Sequence, residues 1–167
     1  MTPDPQPTAK GSSQPAGRIA AIDYGTVRIG VAVSNASQTL ASPYENYNRR
    51  TKALDADYLV RLAKDERITR FVVGLPVHTS GRESEKSVEA KAFGSWLGEL
   101  TGLPVDFFDE RYTTSIAQQM LSEMNVPKNK RKEKLDKLAA QILLTAYLES
   151  SERGDAVPQA LDDEPLP

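Results

Sequence analysis

The chain contains no cysteine in its 167 residues. That excludes a disulfide framework, a thiolate metal centre and a thiol nucleophile, and it leaves oxygen ligands for any metal ion. Histidine is nearly as scarce. His78 stands alone among small and polar residues, the setting of a solvated loop imidazole and not of a catalytic dyad or a zinc cluster. No stretch approaches the roughly 18 consecutive apolar residues that a membrane span needs. The N-terminus lacks the apolar core of a secretory signal. The expectation is a soluble, cytoplasmic protein with no membrane partner.

Charge is present in both signs, with a formal balance of -2, and its placement says more than its sum. Glu152, Asp155, Asp162, Asp163 and Glu164 face Arg153 alone near the C-terminus, whereas Lys128, Lys130, Arg131, Lys132, Lys134 and Lys137 crowd one short stretch. The part between the termini is therefore near neutral or slightly basic.

Residues 1–17 are rich in Pro, Ser, Gln, Thr and Gly and have almost no large apolar side chain. Such a segment cannot bury enough surface to offset its ordering entropy, and it reads as a disordered leader. Residues 151–167, acidic and proline-bearing, read as a flexible tail. A single domain is expected over 18–150.

Inside it, Arg18–Asp23 reads as a strand buried on both faces. Ile29–Ser34 is its hairpin partner, and a third strand lies near Ser42–Asn48. Leu54, Tyr58, Leu59, Leu62 and Ala63 recur at helical spacing, and Arg70–Leu75 returns to a buried strand. Val88, Ala92, Phe93, Trp96, Leu97 and Leu100 give a second helix from Gly81 its apolar face. Val105–Asp109 is a further strand, Thr113 or Thr114 caps a helix to about Met124, and a basic loop leads to a last helix with Leu135, Leu138, Ala139, Ile142 and Ala146 as its stripe. The order β-β-β-α-β-α-β-α-α predicts an α/β fold: a mixed five-stranded sheet with helices on both faces.

Three acids sit where elements end. Asp23 closes the first strand before Gly25, Glu110 follows Val105–Asp109, and Asp136 flanks the last helix's stripe. If the two strands are neighbours, Asp23 and Glu110 meet at one sheet edge, and Asp136 faces along the sheet surface beside them. Hydrolysis of a phosphodiester at neutral pH needs such convergent, otherwise unpaired carboxylates, because they hold the metal ions that activate water and neutralise charge. Each acid also has an ordinary role open to it: an Asx-turn for Asp23, a first-turn helix acid for Glu110, a helix N-terminal charge for Asp136.

Taken together, the motifs resemble the YqgF (RuvX) family of Holliday-junction resolvases and pre-16S rRNA nucleases, within the ribonuclease-H-like superfamily. The resemblance spans about Arg18 to Ser150. It is carried by Ile22-Asp-Tyr-Gly-Thr-Val-Arg-Ile-Gly-Val-Ala-Val33, Val72-Val-Gly-Leu-Pro76 with Gly81 following, Asp109-Glu-Arg-Tyr-Thr-Thr114, and Lys134-Leu-Asp-Lys-Leu-Ala-Ala140 leading to Tyr147 and Leu148. It implies that Asp23, Glu110 and Asp136 are metal-binding catalytic acids, that the ion is Mg2+ or Mn2+, and that the substrate is pre-rRNA or branched DNA. It also implies a place in ribosome biogenesis.

Arg28, Arg111, Lys130, Arg131 and Lys134 are the candidate substrate contacts. Arg111 suits a phosphate or an ion pair with Asp109, and the basic run suits a phosphate backbone or plain solvation. Tyr112 is a core-edge aromatic that also suits base stacking. Two departures stand out. Val27 occupies a position where the family usually carries a cation, and Val77–Gly81 carries less of the family's polar pattern. They motivate an alternative class, a non-catalytic RNA-binding ribosome-assembly factor. A junction resolvase favours a two-fold homodimer, whereas an end-trimming ribonuclease works as a monomer.

Overall fold

The computed structural model describes residues 17–76 and 84–152. The expected leader up to residue 16, the Val77–Gly81 loop with His78, and the tail from residue 153 lie outside the described residues.

Five strands form one sheet: β1 (Arg18–Asp23), β2 (Arg28–Ser34), β3 (Ala41–Asn48), β4 (Ile68–Leu75) and β5 (Val105–Asp109). Their order across the sheet is β3-β2-β1-β4-β5. The first three make an antiparallel meander, and β4 and β5 add parallel to β1. A parallel neighbour needs a crossover, which α1 (Lys52–Asp65) and α2 (Glu85–Thr101) supply. α3 (Thr114–Glu123) and α4 (Arg131–Glu152) complete the chain, and α4 runs two residues past the expected domain end at 150.

The pleat divides the core. Ala20, Ile22, Phe71 and Val73 face α1 and α2, where Leu59, Leu62, Phe93 and Leu97 close over them. Ile19, Ala21, Val72 and Phe108 face α4, against Ala140, Leu143, Leu144 and Tyr147. Helices therefore cover both faces, as the alternation of elements implied.

The expected helix faces need correction. Leu54 is exposed, and its neighbour Asp55 is buried in its place. Val88 and Ala92 also point outward, because α2 turns Ser87, Ala90, Phe93, Gly94 and Leu97 inward. The reason is close approach: a Cβ at Gly94 would lie 2.4 Å from the Phe107 ring, so the helix meets β5 along its smallest side chains. Hydrophobicity alone selected the wrong edge of that face.

Two short 3-10 turns were not expected. Glu110–Thr113 forms one, fastened by Asp109, whose side chain accepts from the Arg111 N–H. Thr113 holds the N-cap position of α3 without a side-chain cap bond, because its hydroxyl donates to the Glu110 carbonyl instead. Lys128–Lys130 forms the other, and α4 begins at Arg131. The basic stretch is thus helical along most of its length and not an open loop.

Candidate active site

β1 and β5 are not neighbours; β4 lies between them. The expected meeting of Asp23 and Glu110 across adjacent strands is therefore corrected, and Gly74 of β4 explains how they still share a site. The register pairs Ile22 with Val73 and Gly74 with Phe108, so Gly74 separates the two strand ends that carry the acids. A Cβ there would lie 2.7 Å from Glu110 Oε2 and 3.2 Å from its Cγ. Glu110 lies over the glycine, and a side chain at that position of β4 would push it away.

Gly30 performs a similar service on the other side of β1. It pairs with Asp23, and a Cβ on it would lie 3.5 Å from Asp23 Cβ and 3.6 Å from Ala140 Cβ. Gly25 answers a different need, since a Cβ there would lie 2.4 Å from the Arg28 carbonyl oxygen in the β1–β2 turn.

Asp23 and Glu110 open onto a cleft of about 360 Å3 between the sheet end, α3 and α4. Asp136 lines the same cleft from α4, together with Leu135, Ala139 and Leu143. Asp136 is exposed, so it bounds the cleft on its solvent side. The carboxylates of Asp23, Glu110 and Asp136 have no hydrogen bond or ion pair among the described residues.

Electrostatics marks the first two. Burial pushes the Glu110 carboxyl up to about 7, the charges of Asp23 and Asp109 add to the rise, and Lys86 opposes it. Burial likewise raises Asp23, with Lys86 pulling down and Asp136 pushing up. Acids withdrawn from water, close to one another and short of partners, form a place that wants positive charge.

Lys86 was missed at the level of sequence. It is the second residue of α2 after the N-cap Ser84, where the helix macrodipole disfavours a cation. That misfit was the available signal. The acids across from it explain the residue.

The residues suit oxygen-binding ions only in a particular way. Among the described residues no three Asp, Glu, His or Cys side chains are gathered tightly enough to form a ready-made metal cage. Mg2+ does not require one, because it keeps several waters and uses one or two carboxylates plus substrate phosphates. A pair of strand-end acids with a third carboxylate across an open cleft fits that habit.

The expected substrate contacts are dispersed. Arg111 Nε and Nη2 lie 2.9 and 2.7 Å from Asp109 Oδ2, so the ion pair is formed and its guanidinium is anchored beside Glu110. Arg28 and Val27 are exposed on the β1–β2 turn. Arg131 donates from Nε to the Val126 carbonyl at 3.0 Å, which pins the start of α4. Lys130 is exposed and Lys134 half-buried along the same edge. Tyr112 is half-exposed, its ring centroid 6.1 Å from that of Phe108.

A mixed five-stranded sheet ordered 3-2-1-4-5 with helices on both faces is a ribonuclease-H-like fold. Thermus thermophilus RuvC, solved in complex with a Holliday junction substrate, is similar in fold: TM-score 0.59 over 85% of this chain and 99% of that one, at 13% identity. Residues 17–150 match the RuvX pattern, described as Holliday junction resolvase, and the chain belongs to that family. Members of such a family are nucleases, hydrolases of phosphodiester bonds. A Rhodopirellula baltica protein named "Putative pre-16S rRNA nuclease" is 45% identical over 93% of this chain and 91% of its own length. An Agrobacterium fabrum protein of the same name is 38% identical over 81% of this chain and 86% of its own. Among the described residues no helix is long and apolar enough to cross a membrane.

Proposed function

We propose that the chain is a metal-dependent nuclease that processes the 5' end of pre-16S rRNA, with Asp23, Glu110 and Asp136 as its metal-holding acids. The observation that carries this reading is the convergence of three unpartnered carboxylates on one cleft. The choice of RNA follows the relatives that share most of its length.

Mg2+ or Mn2+, when bound, supplies a water activated at neutral pH and relief of charge on the phosphoryl oxygens. Asp23 and Glu110 would hold it from the strand ends and Asp136 from across the cleft. Glu110 keeps a proton to about neutral pH in the metal-free cleft, so binding an ion displaces that proton. Lys86 lowers the cost of holding two acids together and offers a cation to an approaching phosphate. Lys130 and Lys134, at the mouth of α4, would follow the phosphate backbone by counterion release.

A second reading, cleavage of a four-way DNA junction, is favoured by the family description and by the junction-bound structural neighbour. Labelled ribosomal RNA precursor and labelled four-way junction, each with Mn2+ or Mg2+, separate the two. Asp23→Asn is expected to reduce cutting by on the order of 10²-fold or more while leaving binding intact. Binding of RNA without metal-dependent cutting would favour the assembly-factor role instead.

A further inference from the structure

Successive side chains of a strand point to opposite faces. Asp23 enters the cleft on the α4 side, and the next residue, Tyr24, packs with the core on the α1/α2 side. There a second cavity of about 510 Å3 opens, bordered by Tyr24, Arg49, Arg50, Lys52, Phe93 and Trp96. Its volume is in the range of small-ligand sites.

Arg49 is held rigidly. Its Nε donates to Asp55 Oδ2 at 3.2 Å, its Nη1 donates to the Gly25 carbonyl at 3.1 Å, and its guanidinium carbon lies 5.5 Å and 5.6 Å from the Tyr24 and Phe93 ring centroids. Lys52 Nζ stands 5.7 Å from the Trp96 centroid. Arg50 is exposed, and its guanidinium has no partner among the described residues. Asp55 is already engaged by Arg49, Tyr47 and the Arg50 N–H. That leaves Glu89 as the one free acid bordering a cationic mouth.

Aromatic rings alone would accept any flat apolar group, and cations alone would accept any anion. Together on one cavity they match a nucleotide, whose base stacks on an aromatic face and whose phosphate draws the cations. We propose that this pocket binds one unpaired nucleotide of a nucleic-acid strand, its base against Trp96 and its phosphate at Arg50 and Lys52. The choice of a nucleic acid as ligand rests on the nuclease reading. Because both pockets border the end of β1, a strand anchored here flanks the one presented to Asp23.

Trp96 is the sole tryptophan, so its fluorescence reports on this pocket directly and without any metal. The full chain, in chelator, is titrated with adenosine 5'-monophosphate and with a short single-stranded oligoribonucleotide. Saturable quenching is expected from both, and none from ribose 5-phosphate or inorganic phosphate. Arg50→Glu and Lys52→Glu should each weaken the oligonucleotide effect by about tenfold or more. Both positions are exposed, and an acid at the first residue of α1 suits its macrodipole, so the variants fold. Asp23→Asn should leave the quenching unchanged. No saturable quenching, quenching equally strong with inorganic phosphate, or quenching untouched by both reversals overturns the proposal. Cutting that persists without quenching removes the pocket alone, whereas quenching without cutting removes the nuclease reading alone.

Discussion

Asp55 and Glu110 are both acids withdrawn from water, and their surroundings drive them in opposite directions. Burial pushes Asp55 up, yet hydrogen bonds from the Arg50 N–H, Tyr47 and Arg49 outweigh it and hold the carboxyl below its ordinary range. Glu110 is half-buried, has another acid beside it and no hydrogen bond to its carboxylate among the described residues to offset its desolvation, and its carboxyl rises to about 7. Asp109, one residue earlier, is bonded as Asp55 is: it is buried and accepts from both the backbone N–H and the guanidinium of Arg111. Acids that build the fold are therefore satisfied within it, and acids left short of partners mark where something else must bind.

The largest test removes a satisfied acid. Asp55→Ala leaves a pinned guanidinium and a buried phenol without their acceptor, and the expected loss is about 3 kcal/mol in urea unfolding. A loss below about 1 kcal/mol would mean that Asp55 does not hold the β3–α1 junction, and the contrast would collapse.

Glu110→Gln tests the opposite case without metal. A carboxyl raised from 4.5 to about 7 favours the folded state only while protonated, so its contribution is complete below about pH 4.5 and is lost as pH rises through about 7. The variant should match the wild type at pH 4 and exceed it by about 2–3 kcal/mol at pH 8. A difference independent of pH would show that Glu110 is not the strained group.

Magnesium should reverse that strain. At about ten times the dissociation constant, the ion adds about 1.4 kcal/mol, a rise of a few degrees in Tm, and Asp23→Asn should abolish most of it. Equal rises in both proteins would place the ion elsewhere.

Gly74→Ala sharpens the comparison with the smallest effect on stability. The new methyl meets the flexible tip of Glu110 at 2.7 Å, so the expected cost is about 1 kcal/mol or less, while cleavage falls by about tenfold because the carboxylate is displaced. Intact cleavage would show that the position of Glu110 over β4 is immaterial.

Much of the architecture was legible in periodicity. Buried runs such as Ile19–Ile22 and Val72–Leu75 announce central strands, because only strands covered on both faces are apolar throughout. The helix that Leu54, Tyr58, Leu59, Leu62 and Ala63 announced is present as α1, capped by Thr51, whose hydroxyl accepts from the Leu54 N–H. Helix faces were less legible, since Leu54 and Val88 look like core while Asp55 and Gly94 do not. Burial there follows from a hydrogen-bond cluster and from a close approach to Phe107, neither of which hydrophobicity records.

What the sequence determined by itself was the chemistry available: no thiol, one imidazole, and acids at the ends of elements in a pattern resembling one family of nucleases. Only the tertiary structure decided that β4 separates β1 from β5, that a glycine makes that separation passable for Glu110, that the charge of Lys86 acts on both strand-end acids, and that Arg49 is fastened to Asp55. The reason is physical. A residue type limits which interactions are possible, but strand order and the direction of each side chain set the distances at which they act.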